Sequence, residues 1–276
     1  PESGRVTVEE GVVFGHGGGR ELKCDIYTPP GNPTHAPGVL LIHGGGWSSG
    51  DRTQLKGHGI LLGRVGYVCV AAEYRLSGEA QWPAPIQDVK AALRWMRANA
   101  ARLGIDPDRI AVSGNSAGGH LSLMVAATPN VPEFEGQGGN PGVDTSVVAC
   151  IGIYPPVDLK PDPALTGAVS MLMGEGASDA AYAGASPITH VKPGFPPTLL
   201  IHGNNDELVP EEASLSIYRA LRKAGVSAEL HIYADQPHAF DSSPVFGRQT
   251  VQVMDLFLRR YLVESEAAPA ALGVAR

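Results

Sequence analysis

The chain has 276 residues, 43% of them apolar, enough to bury a sizeable core in one large α/β domain or two smaller ones. A formal net charge of −7, with no long basic run, argues against nucleic acid as the main partner and gives no reason to expect an anionic membrane surface. No uninterrupted apolar stretch approaches the roughly 18–20 residues that span a bilayer. The three cysteines, Cys24, Cys69 and Cys150, form no CxxC pair and sit in apolar runs, so they read as small buried core residues and not as a disulfide framework or a zinc site. The chain begins at Pro1, so an upstream segment could have been removed; a cytoplasmic location is favoured, with a secreted or periplasmic one left open.

In chain order, Arg5 to Phe14 and Glu21 to Thr28 read as two strands, a hairpin turning around Gly15–Gly19. Gly38 to His43, Tyr67 to Tyr74, Arg109 to Ser113, Val147 to Tyr154, Thr198 to His202 and Ala228 to Tyr233 follow as further strands. Their apolar runs lack polar alternation, which suits strands covered on both faces of a parallel sheet. Helical patterns fall between them, at about Thr53–Arg64, Ala84–Leu103, Ala117–Ala127, Glu211–Ala224 and Val245–Leu262. Ile86, Val89, Leu93 and Met96 recur at helical spacing in the second. Alternating strand and helix predicts a mostly parallel, doubly wound sheet in a single domain covering 1–276. The stretch from about Leu159 to Pro193 carries no strand and reads as a small lid over the carboxyl ends of the strands. The Ala- and Glu-rich tail of 263–276 is expected to fray.

The strongest chemical signal is Gly114-Asn115-Ser116-Ala117-Gly118-Gly119, between an apolar strand and a helical pattern. That is the context of a G-x-S-x-G nucleophile elbow. The sharp strand-to-helix turn strains the serine and crowds the backbone, and glycine at 114 and 118 removes side chains that would clash. The helix that follows offers free N–H groups and the positive end of its dipole where negative charge develops. The second signal is His43-Gly44-Gly45-Gly46-Trp47, just past a buried strand. Two amides of this loop and that of Ala117 can converge on an ester carbonyl oxygen and stabilise the oxyanion of a tetrahedral intermediate. His43 is expected to hold the loop in shape rather than to act as a base.

Where this elbow occurs, the chain order is nucleophile, acid, histidine. Asp206 lies in the loop after the strand that ends at His202, and His238 in the loop after the next strand, which puts both at the sheet edge that holds Ser116. His238 would take the serine proton and return it to the leaving group, with Asp206 orienting the imidazole. Asp158 is the alternative acid; Asp235 and Asp241 flank His238 too closely to face its ring. His120 and His202 read as packed residues, His231 lies on a strand, and His16, His35, His58 and His190 fall in loops or on helix surfaces. HExxH is absent and the histidines do not cluster at ligand spacing, so no metal motif is found.

His43–Trp47, Glu73-Tyr74-Arg75-Leu76, Ala84–Asp88, Gly114–Gly119 and His202–Asp206 together resemble the hormone-sensitive-lipase-like (family IV) esterases, and especially their compact feruloyl-esterase-like and acetyl-esterase-like bacterial relatives. The resemblance covers about residues 20 to 262. It implies the α/β-hydrolase fold, with a mostly parallel eight-stranded sheet flanked by helices and a small lid insertion. It also implies a triad of Ser116, Asp206 and His238, an oxyanion hole of Gly45, Gly46 and Ala117, and no diffusible cofactor. Many members carry Asp where this chain has Asn115, and the long N-terminal extension that builds a helical cap is missing, so the 159–193 lid would serve instead.

The expected function is a carboxylesterase acting on short acyl or small aryl esters through an acyl-enzyme. Amide or aryl-formamide hydrolysis, and feruloyl or acetylated-sugar esters, are the alternatives for the same triad; a non-catalytic receptor of this fold is the alternative from another class. Trp47, Met171, Met173 and Phe240 are candidate pocket liners. The expected partner is a small-molecule ester, and an edge strand or terminal helix could support a homodimer.

Overall fold

A computed structural model of the chain describes residues 4–160 and 165–264, so part of the lid segment and most of the tail lie outside the described residues. In chain order the described residues form β1 (Thr7–Gly17), β2 (Arg20–Thr28), β3 (Ala36–Ile42), α1 (Lys56–Arg64), β4 (Val68–Ala72), α2 (Ala84–Ala98), α3 (Ala100–Leu103) and β5 (Ile105–Asn115). Then come α4 (Ala117–Ala127), α5 (Pro132–Glu135), β6 (Ala149–Ile153), α6 (Thr166–Met173), α7 (Asp179–Gly184), β7 (Thr198–Gly203), α8 (Glu212–Lys223), β8 (Ala228–Tyr233) and α9 (Pro244–Leu258). The strands build one eight-stranded sheet in the order β1-β2-β4-β3-β5-β6-β7-β8. β2 runs antiparallel to β1 and β4, and the remaining pairings are parallel.

The absence of polar alternation in the central strands has a direct structural cause. Leu40 and Ile42 of β3 join a core on one face of the sheet, and Val39 and Leu41 join a second core on the other. The first core is covered by α2 and α4, the second by α1 and α9. Helix α4 is buried at every position, which is why Ala117 to Ala127 has no charged face and its two polar side chains, His120 and Ser122, are hydrogen-bonded to backbone carbonyls. Met254, Phe257 and Leu258 of α9 are almost wholly buried on the opposite face, each worth about 1.5–3 kcal/mol relative to exposure. Cys24, Cys69 and Cys150 are free thiols in these cores, and burial pushes the Cys24 thiol up to about 12.

Some boundaries differ from the sequence reading. β1 continues through His16 to Gly17, so the hairpin turns at Gly18 and Gly19, both with positive φ. The predicted helix 84–103 is two helices broken at Asn99. β5 starts at Ile105, before the Asp106–Arg109 turn, and absorbs it as an irregularity against β3. In the 159–193 segment the described residues hold no strand; α6, α7 and a 3₁₀ turn at Pro187–His190 fill it. Val169 and Leu172 of α6 are buried against the first core, which ties this segment to the body of the protein.

The candidate active site

The parallel strands bring five loops to one edge. In the register of the sheet Ile42 lies beside Gly114, Asn115 beside Ile153, Ile153 beside Ile201, and Gly203 beside Tyr233. The chain therefore leaves β3, β5, β6, β7 and β8 at a common carboxyl edge. There it carries His43–Trp47, Ser116, Tyr154, Asp206 and His238.

Ser116 has φ 53° and ψ −121°, a conformation that side-chain-bearing residues adopt only under strain. The surrounding backbone fixes it: the Ser116 N–H donates to Ile153 O at 2.9 Å, and the His120 N–H to Ser116 O at 3.0 Å. Gly118 lets α4 press against β3, because a Cβ there would run into the carbonyl oxygens of Ile42 and His43. Gly118→Ala should accordingly lower the free energy of unfolding by about 1–3 kcal/mol or more, read from the urea midpoint.

His238 Nε2 lies 2.9 Å from Ser116 Oγ, and His238 Nδ1 lies 2.7 Å from Asp206 Oδ2. A carboxylate only accepts, so Nδ1 carries the proton and Nε2 accepts from the serine hydroxyl. The other Asp206 oxygen, Oδ1, accepts the N–H groups of Leu208 (3.0 Å) and Val209 (2.8 Å). Burial works against ionisation of Asp206, but hydrogen bonds from His202, His238 and the Val209 amide outweigh it and hold the carboxyl well below the usual range. His202, read from sequence as a packed strand residue, is buried and stands 3.3 Å from Asp206 Oδ2. Its Nε2–H donates to Val209 O at 2.8 Å, so Nδ1 accepts from the Ser214 hydroxyl at 2.7 Å. Asp158, the alternative acid, is exposed and accepts only the nearby Lys160 N–H among the hydrogen bonds of the described residues.

The glycine loop runs beside the serine: a Cβ on Gly44 would stand 3.2 Å from the Ser116 Cβ. Gly45 and Gly46 have φ of 113° and 58°, open to glycine at no steric cost. The Gly45 carbonyl accepts the N–H groups of Ser48 (3.1 Å) and Ser49 (3.0 Å) and the Ser49 hydroxyl (3.0 Å), which pins it in one direction. The Gly45 and Gly46 N–H groups donate to no protein acceptor in the described residues. Ala117, as the first residue of α4, lacks an intrahelical acceptor. His43 braces the loop: its Nδ1 is 2.7 Å from Gly44 O, its ring stacks on Tyr74 at 4.3 Å, and the Tyr74 hydroxyl donates to His43 O.

The four candidate pocket liners do not meet in one pocket. Trp47 is 1% exposed; its φ of 57° sends the indole beneath the loop, where its N–H donates to His120 Nδ1 at 3.2 Å. His120 Nε2–H in turn donates to Ala185 O at 2.7 Å, and burial lowers the His120 imidazole to about 4. Trp47 is therefore a buried strut between the glycine loop, α4 and the lid segment. Phe240 is 4% exposed and packs with Tyr154, Tyr233 and Phe246 in the second core. Met171 is 52% exposed, and Met173 packs at the margin of the first core. From α6, Ala168 faces the glycine loop, its Cβ 3.5 Å from where a Gly46 Cβ would stand. The sequence reading also missed Tyr154, whose ring lies 4.6 Å from the His238 ring, and misplaced His58, which is buried in α1 and not on its surface.

Among the described residues, no group of three or more His, Cys, Asp or Glu could hold a metal ion, and no helix is long and apolar enough to cross a membrane. The chain is similar to known esterases in sequence and in fold. Esterase LipC of Mycobacterium tuberculosis is 36% identical over 231 residues, 79% of this chain and 56% of LipC. Esterase LipQ of the same organism is 33% identical over 255 residues, 87% of this chain and 60% of LipQ. The chain thus spans little more than half the length of these curated relatives. Among solved structures, a truncated form of a carbohydrate esterase from gut microbiota is similar with a TM-score of 0.82 at 27% identity, over 94% of this chain and 98% of that one. Residues 24–221, which hold both glycine motifs, Ser116 and Asp206, match the family model BD-FAE, and the chain belongs to that family.

Proposed function

We propose that the chain is a serine carboxylesterase with Ser116 as nucleophile, His238 as general base and acid, and Asp206 as the orienting carboxylate. The observation that carries this reading is the unbroken hydrogen-bond relay Ser116 Oγ–His238–Asp206, at 2.9 and 2.7 Å, on three separate loops of one sheet edge. Ser116 Oγ attacks the ester carbonyl carbon while its proton passes to His238 Nε2. The N–H groups of Gly45, Gly46 and Ala117 receive the oxyanion. The tetrahedral intermediate collapses, the C–O bond to the alcohol breaks, and His238 protonates the departing oxygen. Water then repeats the sequence on the acyl-enzyme, releasing the acid and restoring Ser116.

Small acyl groups are the substrates proposed for this site, where α6 sets Ala168 beside the glycine loop. Esters on carbohydrates are the second reading, favoured by the similarity to a carbohydrate esterase. Hydrolysis of p-nitrophenyl acetate, butyrate, octanoate and palmitate should fall steeply beyond butyrate. Treatment with a dialkyl p-nitrophenyl phosphate should add one dialkylphosphoryl group, on the peptide holding Ser116, and abolish turnover. Labelling elsewhere, or undiminished turnover after labelling, would refute the assignment.

A further inference from the structure

Beside the triad lies a second buried polar chain. Tyr154 leaves β6 with φ 39°, and this bend lays its ring against the His238 imidazole, centroids 4.6 Å apart and planes 57° to one another. The Tyr154 hydroxyl donates to Asp241 Oδ1 and accepts from Asn115 Nδ2 at 3.1 Å. Asp241 follows His238 by three residues: Ala239, with φ 60°, reverses the chain so that His238 reaches Ser116 while Phe240 and Asp241 turn into the protein. The other Asp241 oxygen lies 3.3 Å from Nε2 of the buried His58 on α1.

We propose that Tyr154, anchored by Asp241, is a positioning residue for the reaction: it fixes the His238 ring against Ser116 by gripping both sides of the pair. It packs directly against the imidazole ring, and its hydroxyl holds Asn115, the residue that precedes the nucleophile. The proposal rests on the reading of Ser116, His238 and Asp206 as the catalytic triad. Its physical basis is that proton transfer needs the imidazole edge aligned with the serine hydroxyl, and a rotation of the ring about its own axis breaks that alignment without touching substrate binding.

The hydrogen-bond directions are determined. Burial works against the Asp241 charge, but His58 and the Tyr154 hydroxyl outweigh it and keep the carboxyl ionised, while burial and Asp241 push the Tyr154 phenol well above its ordinary value. The phenol therefore remains a donor and Asp241 its acceptor. The asparagine at 115 completes this assignment. Its amide N–H₂ donates to the phenol oxygen, leaving the phenol proton free for Asp241. A carboxylate at 115 would compete for that one proton and place a second negative charge beside Asp241.

The test is steady-state hydrolysis of p-nitrophenyl acetate by the wild type, Tyr154→Phe, Asp241→Asn and the double variant, with Ser116→Ala alongside. Each single variant should lower kcat roughly tenfold with KM unchanged within about twofold, and the double variant should be no slower than the slower single, because both changes cut the same link. The low-field proton resonance of His238 Nδ1–H should shift or broaden in both single variants. Tyr154→Phe removes one oxygen and keeps the packed ring, so it carries the test alone should Asp241→Asn fail to fold. Unchanged kcat in Tyr154→Phe, a loss expressed in KM, or multiplicative losses in the double variant would overturn the proposal. An active Ser116→Ala would instead overturn the triad reading itself.

Discussion

Ser116→Ala should lower kcat for p-nitrophenyl acetate by about 10⁴–10⁶-fold while leaving the fold and the thermal midpoint nearly unchanged. The loss follows from the relay. Without Oγ no atom stands 2.9 Å from His238 Nε2 to surrender a proton and attack. The fold should survive because what holds position 116 is its backbone. Its N–H bonds to Ile153 O and its carbonyl accepts from His120, and alanine keeps the same Cβ in the same strained conformation. Residual activity above the uncatalysed rate would come from the glycine-loop amides and substrate binding. Stopped-flow release of p-nitrophenol separates the cases: the wild type should give a burst of acyl-enzyme formation and Ser116→Ala none. A variant that keeps the wild-type rate would exclude Ser116 as nucleophile.

The placing of Ser116, Asp206 and His238 together was legible because each sits just past a parallel strand. Parallel strands share a carboxyl edge, so Ser116, Asp206 and His238 come to one edge of the sheet. The glycine loop was legible for the same reason, at the end of β3. Side-chain direction within a loop was not. Trp47 adjoins the glycine run and looks like a pocket wall, yet a positive φ at a tryptophan turns it inward to His120, and no sequence pattern announces that. Phe240 and Asp241 are buried by the left-handed turn at Ala239, a conformation alanine does not advertise. His58 lies in Lys56-Gly57-His58-Gly59, where the glycines blank out the apolar periodicity that would have marked the buried face of α1. Tyr154 reads as the last core residue of a strand, and only its bend at φ 39° sets it against His238.

Asp206→Asn tests the geometry more sharply than deletion would, and should lower kcat at neutral pH by about 10⁴-fold. The direction of the effect is set by the acid loop. The Leu208 and Val209 N–H groups both point at Oδ1, so an asparagine must put its carbonyl oxygen there and its N–H₂ where Oδ2 now meets His238. A donor facing Nδ1 forces the imidazole proton to Nε2, and Nε2 can then no longer accept from Ser116. KM should move little, since Asp206 lies behind the histidine and away from the glycine loop. The same substitution should change the pH dependence of stability. The folded state holds the Asp206 carboxyl below its value in the unfolded chain, about 3.9. Between those two values the unfolded chain binds the extra proton. The ionised carboxylate therefore stabilises the fold fully above the unfolded value, and that stabilisation is lost as pH falls through the folded one. Urea denaturation should show a gap between wild type and Asp206→Asn that is constant near neutrality and narrows from about pH 5 downward. A gap that widens on acidification would mean that the carboxylate is not held by the contacts described, and a kcat within tenfold of wild type would show that the tautomer of His238 is fixed by something other than Asp206.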